Sequence, residues 1–180
     1  MRENESNEDG ATYKMEIFIS IWNLIFPNGN KTNHTCTFFE DPNKPFSIRQ
    51  LSRILKINHT TIRQHLNKMA KEEILSLKKE GVYSFYRLIL SKKVLNLKLY
   101  YNLEKLRNSH LIEDIEKVYD FPVIILFGSY VTATDSIGSD IDICLISNIE
   151  KKFPTEKYEK ILNRKISLHQ FNKTSFDKAK

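Results

Sequence analysis

An apolar run that stops at Gly-Ser, with an Asp-x-Asp pair a short loop later, constrains this chain more than any other feature. Val123-Ile-Ile-Leu-Phe127 lies between Pro122 and Gly128. A short, continuous run rich in β-branched residues and bounded by such breakers predicts a buried strand. Ten residues separate Ser129 from Asp140, and Asp140-Ile141-Asp142 opens a second apolar run that extends to Ile146. The pattern predicts two strands joined by a short loop, with these polar residues at their ends.

Each of those residues suits a particular chemistry. Gly128 allows a tight turn and a close backbone approach to a ligand. Ser129 begins a predicted short helix, where free N–H groups and a hydroxyl suit a phosphate. Asp140 and Asp142 share one strand face, because side chains alternate along a strand. Two adjacent carboxylates repel unless a cation lies between them. An all-oxygen donor set suits Mg2+, which also takes phosphate oxygens as ligands. Such ions bridge phosphates and activate a hydroxyl. The layout therefore predicts a site for a nucleoside triphosphate and its divalent metal.

Gly128-Ser129, ten intervening residues and Asp140-Ile141-Asp142, flanked by Leu126-Phe127 and Ser139, resemble the signature of the minimal nucleotidyltransferases of the DNA polymerase beta superfamily. The resemblance covers roughly residues 110–180. It implies a small α/β domain with a mixed sheet, and transfer of a nucleoside monophosphate from an NTP, ATP favoured, to a hydroxyl acceptor on a protein or small molecule. It also implies that Gly128 and Ser129 hold the triphosphate and that Asp140 and Asp142 are the catalytic Mg2+ ligands. The chain departs from the family's pattern at Ala133, where Gly is usual, and at Val131, where a small residue is usual. The family also has a third carboxylate on a later strand. Here that strand reads Lys165-Ile-Ser-Leu-His169, with Ser167 in the expected place. Glu156 and Glu159, on a predicted helix, are the alternative carboxylates.

Charge divides the chain. Residues 1–10 carry one basic and four acidic side chains, residues 11–110 carry 17 and 7, and residues 111–180 carry 10 and 11. The excess positive charge lies in the middle segment, as expected of a nucleic-acid-binding domain. Residues 1–10 are polar, lack an apolar signal region and predict a disordered tail. No run of 18 apolar residues suggests a membrane span. Cys36 and Cys144 read as a loop thiol and a core thiol in a reducing cytoplasm. The five His lack metal-ligand spacing.

The basic segment has its own pattern. Residues 12–26 carry apolar side chains at helical spacing and stop at Pro27. Residues 27–46 predict a loop, with a short strand over 35–39. Ser47 is a natural N-cap for a helix whose apolar stripe is Ile48, Leu51, Ile54 and Leu55. A turn, Lys56-Ile57-Asn58, leads to a second helix from His59 to about Glu73. Two short amphipathic helices joined this way predict a helix-turn-helix. Ile74 to Lys78 and Tyr83 to Leu90 predict a hairpin around Lys79-Glu80-Gly81.

Residues 12–90 thus resemble a winged helix-turn-helix domain of the kind found in small prokaryotic and archaeal regulators. The resemblance implies a double-stranded DNA partner, with the second helix in the major groove. Its candidate contacts are His59, Thr60, Thr61, Arg63, Gln64, Asn67 and Lys68. Arg63 and Gln64 suit bidentate base contacts. Lys78 and Lys79 on the wing suit backbone phosphate.

Residues 91–109 predict a linker helix with apolar positions Val94, Leu95, Leu97, Leu99, Tyr100, Leu103 and Leu106, broad enough to be buried. A helix from Leu111 to Tyr119 then opens the second domain. The fold class is α+β: a tail at 1–10, a winged helix-turn-helix at 11–90, the linker helix, and a small α/β nucleotidyltransferase-like domain with a mixed sheet at 110–180. The combination resembles a group of archaeal cytoplasmic proteins, and paired half-sites imply a homodimer. Two alternatives remain. One is a catalytically degenerate, nucleotide-sensing transcriptional regulator, and the other is an antitoxin-like scaffold.

Overall fold

The computed structural model describes residues 37–178. The expected tail at 1–10, the helix at 12–26 and Cys36 lie outside the described residues. The chain divides into two compact units between Leu90 and Ser91.

The first unit begins with a single helical turn, α1 (Thr37–Glu40), that buries Phe38 and Phe39. This corrects the short strand expected over 35–39. Phe38 packs edge-on against Phe46 with ring centroids 5.2 Å apart, and that contact decides the local conformation over strand propensity. A two-residue strand, β1 (Phe46–Ser47), runs into α2 (Ile48–Leu55). Ser47 caps α2 in a reciprocal box. Its Oγ accepts from the Gln50 N–H, and the Gln50 side chain accepts from the Ser47 N–H at 2.8 Å. Lys56 takes a left-handed conformation to end the helix. Asn58 Oδ1 accepts from the Thr61 N–H at 2.9 Å and starts α3 (His59–Lys71).

Strands β2 (Leu75–Glu80) and β3 (Tyr83–Leu88) form an antiparallel hairpin. Its turn is Gly81-Val82, which keeps Gly81 of the expected turn, while Lys79 and Glu80 join β2, because Glu80 still pairs with Tyr83. Gly81 has φ +59 and supplies the positive φ that two-residue hairpin turns favour. β1 pairs with β3, so the sheet order is β1-β3-β2. Leu51, Ile62, Leu66, Met69, Ile74, Leu75, Tyr86 and Leu88 are buried in this unit.

The second unit opens with α4 (Lys92–Asn108), capped by Ser91, whose Oγ accepts from the Val94 N–H. α4 buries Val94, Lys98, Tyr101, Asn102 and Leu106 and leaves Tyr100 and Leu103 exposed. The apolar stripe read from sequence is therefore displaced, and two polar residues lie in its buried face. They are accommodated because Asp135 meets them there. Lys98 pairs with Asp135, and Asn102 Nδ2 donates to Asp135 Oδ1 at 2.8 Å and to the Tyr130 carbonyl at 2.9 Å. Tyr130 OH donates back to the Asn102 carbonyl at 3.0 Å.

α5 (Leu111–Tyr119) has Glu113 and Asp114 in its first turn, where acids favour the helix dipole. The sheet follows: β4 (Val123–Phe127), β5 (Ile141–Ile146) and β6 (Ile166–Phe171), in that order. β4–β5 is antiparallel and β5–β6 parallel, so the sheet is mixed. The connections carry α6 (Ser129–Thr132) and α7 (Glu156–Leu162), and α8 (Lys173–Lys178) closes the unit. Leu106, Leu111, Ile115, Tyr119, Tyr130, Phe153, Tyr158 and Leu162 pack on one face of the sheet, over Ile141, Ile143, Leu145 and Ile166. Tyr158 OH donates to Asp114 at 2.5 Å. Burial first, and that hydrogen bond second, push its pKa up to about 12. Burial also raises the pKa of the Cys144 thiol.

The opposite sheet face is open along β4, while Cys144 is buried and Phe171 packs against Phe176 of α8 with ring centroids 6.3 Å apart. The register places Phe127, Asp142 and Ser167 side by side, then Ile125, Cys144 and His169, then Val123, Ile146 and Phe171. Val123, Ile125 and Phe127 are 56%, 38% and 40% exposed. The strand expected to be buried is instead an edge strand with one uncovered face.

Candidate functional site

The open face carries the candidate site at one end. Gly128 follows β4, and Asp140 immediately precedes β5. Phe127 is the register partner of Asp142, which brings the Gly128 turn beside the second carboxylate. Gly128 adopts φ +76 and ψ −157, a combination open essentially only to glycine. A Cβ at this position would collide with Asp142 Oδ2. The turn and the carboxylate therefore touch, and two separate constraints demand Gly128.

α6 is a single turn from Ser129 to Thr132. It ends at Ala133, which is buried and left-handed at φ +58. A left-handed turn favours glycine at this position, and Ala is the next smallest side chain that fits it. The chain then turns at Ser136–Ser139, where Ser139 Oγ accepts from the Ser136 N–H at 3.0 Å and leads into Asp140. Asp140 and Asp142 are both half-buried.

Ser167 occupies the neighbouring position on β6. It is the register partner of Asp142, and its Oγ donates to Asp140 Oδ2 at 3.4 Å. Glu159 does not approach as a substitute carboxylate. Its Oε1 accepts from the Ile166 N–H at 3.1 Å and from Thr155 Oγ1 at 3.2 Å, which secures the α7–β6 connection. Glu156 is exposed in the first turn of α7. Among the described residues, no group of three or more His, Cys, Asp or Glu can hold a metal ion. Asp140, Asp142 and the Ser167 hydroxyl form an oxygen-only donor set, which fits a hard cation that keeps waters and phosphate oxygens as further ligands.

Two features of the site escaped the sequence. Phe127 and His169 form a tilted ring pair 5.7 Å apart on the open face, next to Asp142. The signal for it was the alternation of Val123, Ile125 and Phe127, visible only once β4 is known to be an edge. The other is Asp135, buried between Lys98, Asn102 and Arg164 in the loop from α6 to β5. It anchors the loop that connects Ser129 to Asp140.

The candidate DNA contacts lie on the first unit. His59, Thr60, Arg63 and Gln64 are exposed on α3. Thr61 is half-buried and serves the Asn58 cap. Lys68 is half-buried. Asn67 accepts from Tyr86 OH at 3.0 Å, so part of it is committed to the fold. Lys78 and Lys79 are exposed on β2, and Lys78 pairs with Glu80 at 2.9 Å.

A family model described as a nucleotidyltransferase domain matches residues 110–176. The match covers α5 through β6 and includes Gly128, Ser129, Asp140, Asp142 and Ser167. No curated protein and no solved structure matches the chain. Among the described residues, no helix is long and apolar enough to cross a membrane.

Proposed function

We propose that this chain couples a nucleotidyltransferase domain, which binds an NTP with Mg2+ and transfers its nucleoside monophosphate to a hydroxyl acceptor with release of pyrophosphate, to a winged-helix unit that binds double-stranded DNA. One observation carries the first half. Within the segment that matches the nucleotidyltransferase domain, the Gly128 turn touches Asp142 on an open sheet face. In this reading, backbone N–H groups after Gly128 and the Ser129 hydroxyl hold phosphate oxygens. Asp140 and Asp142 hold the cation, which when bound neutralises charge on the phosphates. The Asp135 anchor keeps the intervening loop in place.

Titration calorimetry with non-hydrolysable NTP analogues, with and without Mg2+, tests this half. Metal-dependent binding is expected in the wild type. Asp140→Asn combined with Asp142→Asn removes two charged ligands, each worth about 1.5–3 kcal/mol. Affinity should fall at least about 100-fold. Unchanged binding in the folded double variant would show that the nucleotide sits elsewhere.

The second half rests on the exposed row His59, Thr60, Arg63 and Gln64 on α3, with Lys78 and Lys79 on the hairpin. Arg63→Ala should weaken binding to a selected DNA site by about 1–3 kcal/mol and relax its sequence preference. Lys79→Ala should weaken all sequences alike and lower the salt slope by about one. Fluorescence anisotropy at fixed salt separates the two effects. An Arg63→Ala protein with wild-type affinity and preference would refute the assignment of α3 as the recognition helix.

A second reading is favoured by one observation. Ser167 stands beside Asp140 where a carboxylate would otherwise serve as base or metal ligand. In that reading the domain senses a nucleotide for a DNA-binding regulator and transfers slowly. Ser167→Asp should then raise the transfer rate.

A further inference from the structure

Two rings reach across the middle of the sheet beside the Gly128 turn. Phe127 is on β4 and His169 on β6, with β5 between them. Neighbouring strands lie about 4.8 Å apart, so two intervals hold their backbones at least about 9.6 Å apart. The ring centroids are nevertheless 5.7 Å apart, with a tilt of 50° between the planes. Both side chains therefore lean inward over β5. Cys144, the β5 residue in the His169 row, is small enough to leave that span clear and is itself buried. The rings are not roofed over in turn: Phe127 is 40% exposed and His169 is exposed. They form a wall across the sheet whose outer surface is free to stack. Its position is specific. Phe127 precedes Gly128 and is the register partner of Asp142, and His169 stands two residues beyond Ser167 on the same strand face. The wall thus borders the row that holds Asp142 and Ser167, one step of about 6.6 Å along the strands.

We propose that the Phe127–His169 pair is the stacking wall for the nucleobase of the bound NTP. This rests on the nucleotide-binding reading above. The base of a nucleotide lies one ribose beyond its α-phosphate, so phosphates held at the Gly128 turn bring the base within reach of the adjoining row. Aromatic side chains stack on any base, because every base has a π-face. Phe127 and His169 are then the residues by which the site prefers a nucleotide to a bare polyphosphate.

Calorimetry on the full chain in Mg2+ tests this with two ligands, a non-hydrolysable ATP analogue and inorganic tripolyphosphate, which has the phosphates without the base. The wild type is expected to bind the ATP analogue at least about tenfold more tightly than tripolyphosphate. Phe127→Leu keeps an apolar strand residue and removes one ring, and His169→Ala removes the other. Each should weaken the ATP analogue about tenfold and leave tripolyphosphate binding unchanged. His169→Phe keeps a ring without the imidazole nitrogens and should retain wild-type affinity for the ATP analogue. Equal wild-type affinity for the two ligands would overturn the inference while leaving the phosphate site standing. So would a folded Phe127→Leu protein that loses both ligands alike, or neither. If Phe127→Leu fails to fold, His169→Ala supplies the same comparison. His169→Phe falling to the level of His169→Ala would refute stacking by that ring. Absence of Mg2+-dependent binding of either ligand to the wild type would refute the underlying reading and the inference with it.

Discussion

Asp135→Asn is expected to cost the second unit about 3–5 kcal/mol, the largest stability effect of any single change considered for this protein. Asp135 is 1% exposed. It pairs with Lys98, which is 0% exposed, accepts from Asn102 at 2.8 Å and faces Arg164 at 3.6 Å. Two buried cations thus share one carboxylate. Asn keeps the shape but removes the charge that both buried cations face. Domains are stable by only about 5–15 kcal/mol. In a unit of this size each kcal/mol shifts Tm by about 4–8 °C, so the fall should reach at least about 12 °C. Circular dichroism during heating measures it. Adding Lys98→Met to Asp135→Asn should recover part of the loss, because one buried charge becomes an apolar side chain. A loss below about 1 kcal/mol in Asp135→Asn would contradict the buried network.

Gly128→Ala is expected to damage the site most. The Gly128 backbone lies where other residues are strained by about 1–3 kcal/mol. The new Cβ also meets Asp142 Oδ2, so either the turn or the carboxylate must move. Both are proposed ligand groups. The variant should lose about 2 kcal/mol of stability and bind metal–NTP analogue at least about tenfold more weakly, about 1.4 kcal/mol. Calorimetry on folded protein, paired with a melting curve, separates the two losses. Wild-type nucleotide affinity in folded Gly128→Ala would mean that the turn does not face the ligand.

Elements with local signals were legible in advance. Ser47 starts a helix because a side-chain oxygen can reach an N–H two or three residues on, and that cap forms. The breakers around Val123–Phe127 and the apolar run after Asp140 marked β4 and β5. Ser167, read as standing in the third position of the site, is the register partner of Asp142. Its place came from the family resemblance and not from a local signal.

Other features depended on contacts between distant residues. α4 looked like an apolar helix, yet its buried face holds Lys98 and Asn102. No local pattern predicts that, because the partner that makes their burial tolerable, Asp135, lies more than thirty residues away. β4 looked like a buried strand, but it has a neighbour on only one side, and Val123, Ile125 and Phe127 are left exposed. Glu159 looked like a spare carboxylate until the α7–β6 connection placed the Ile166 N–H against it.

By itself, the sequence determined where strands and helices start and which residue types stand at their ends, since caps, turns and alternation act over a few residues. Only the tertiary structure decided which face of the sheet stays open, which charges are buried together, and that Gly128 lies against Asp142. Those outcomes are set by strand register and by pairing across long separations, where an uncompensated charge or a colliding Cβ costs more than any local preference can offset.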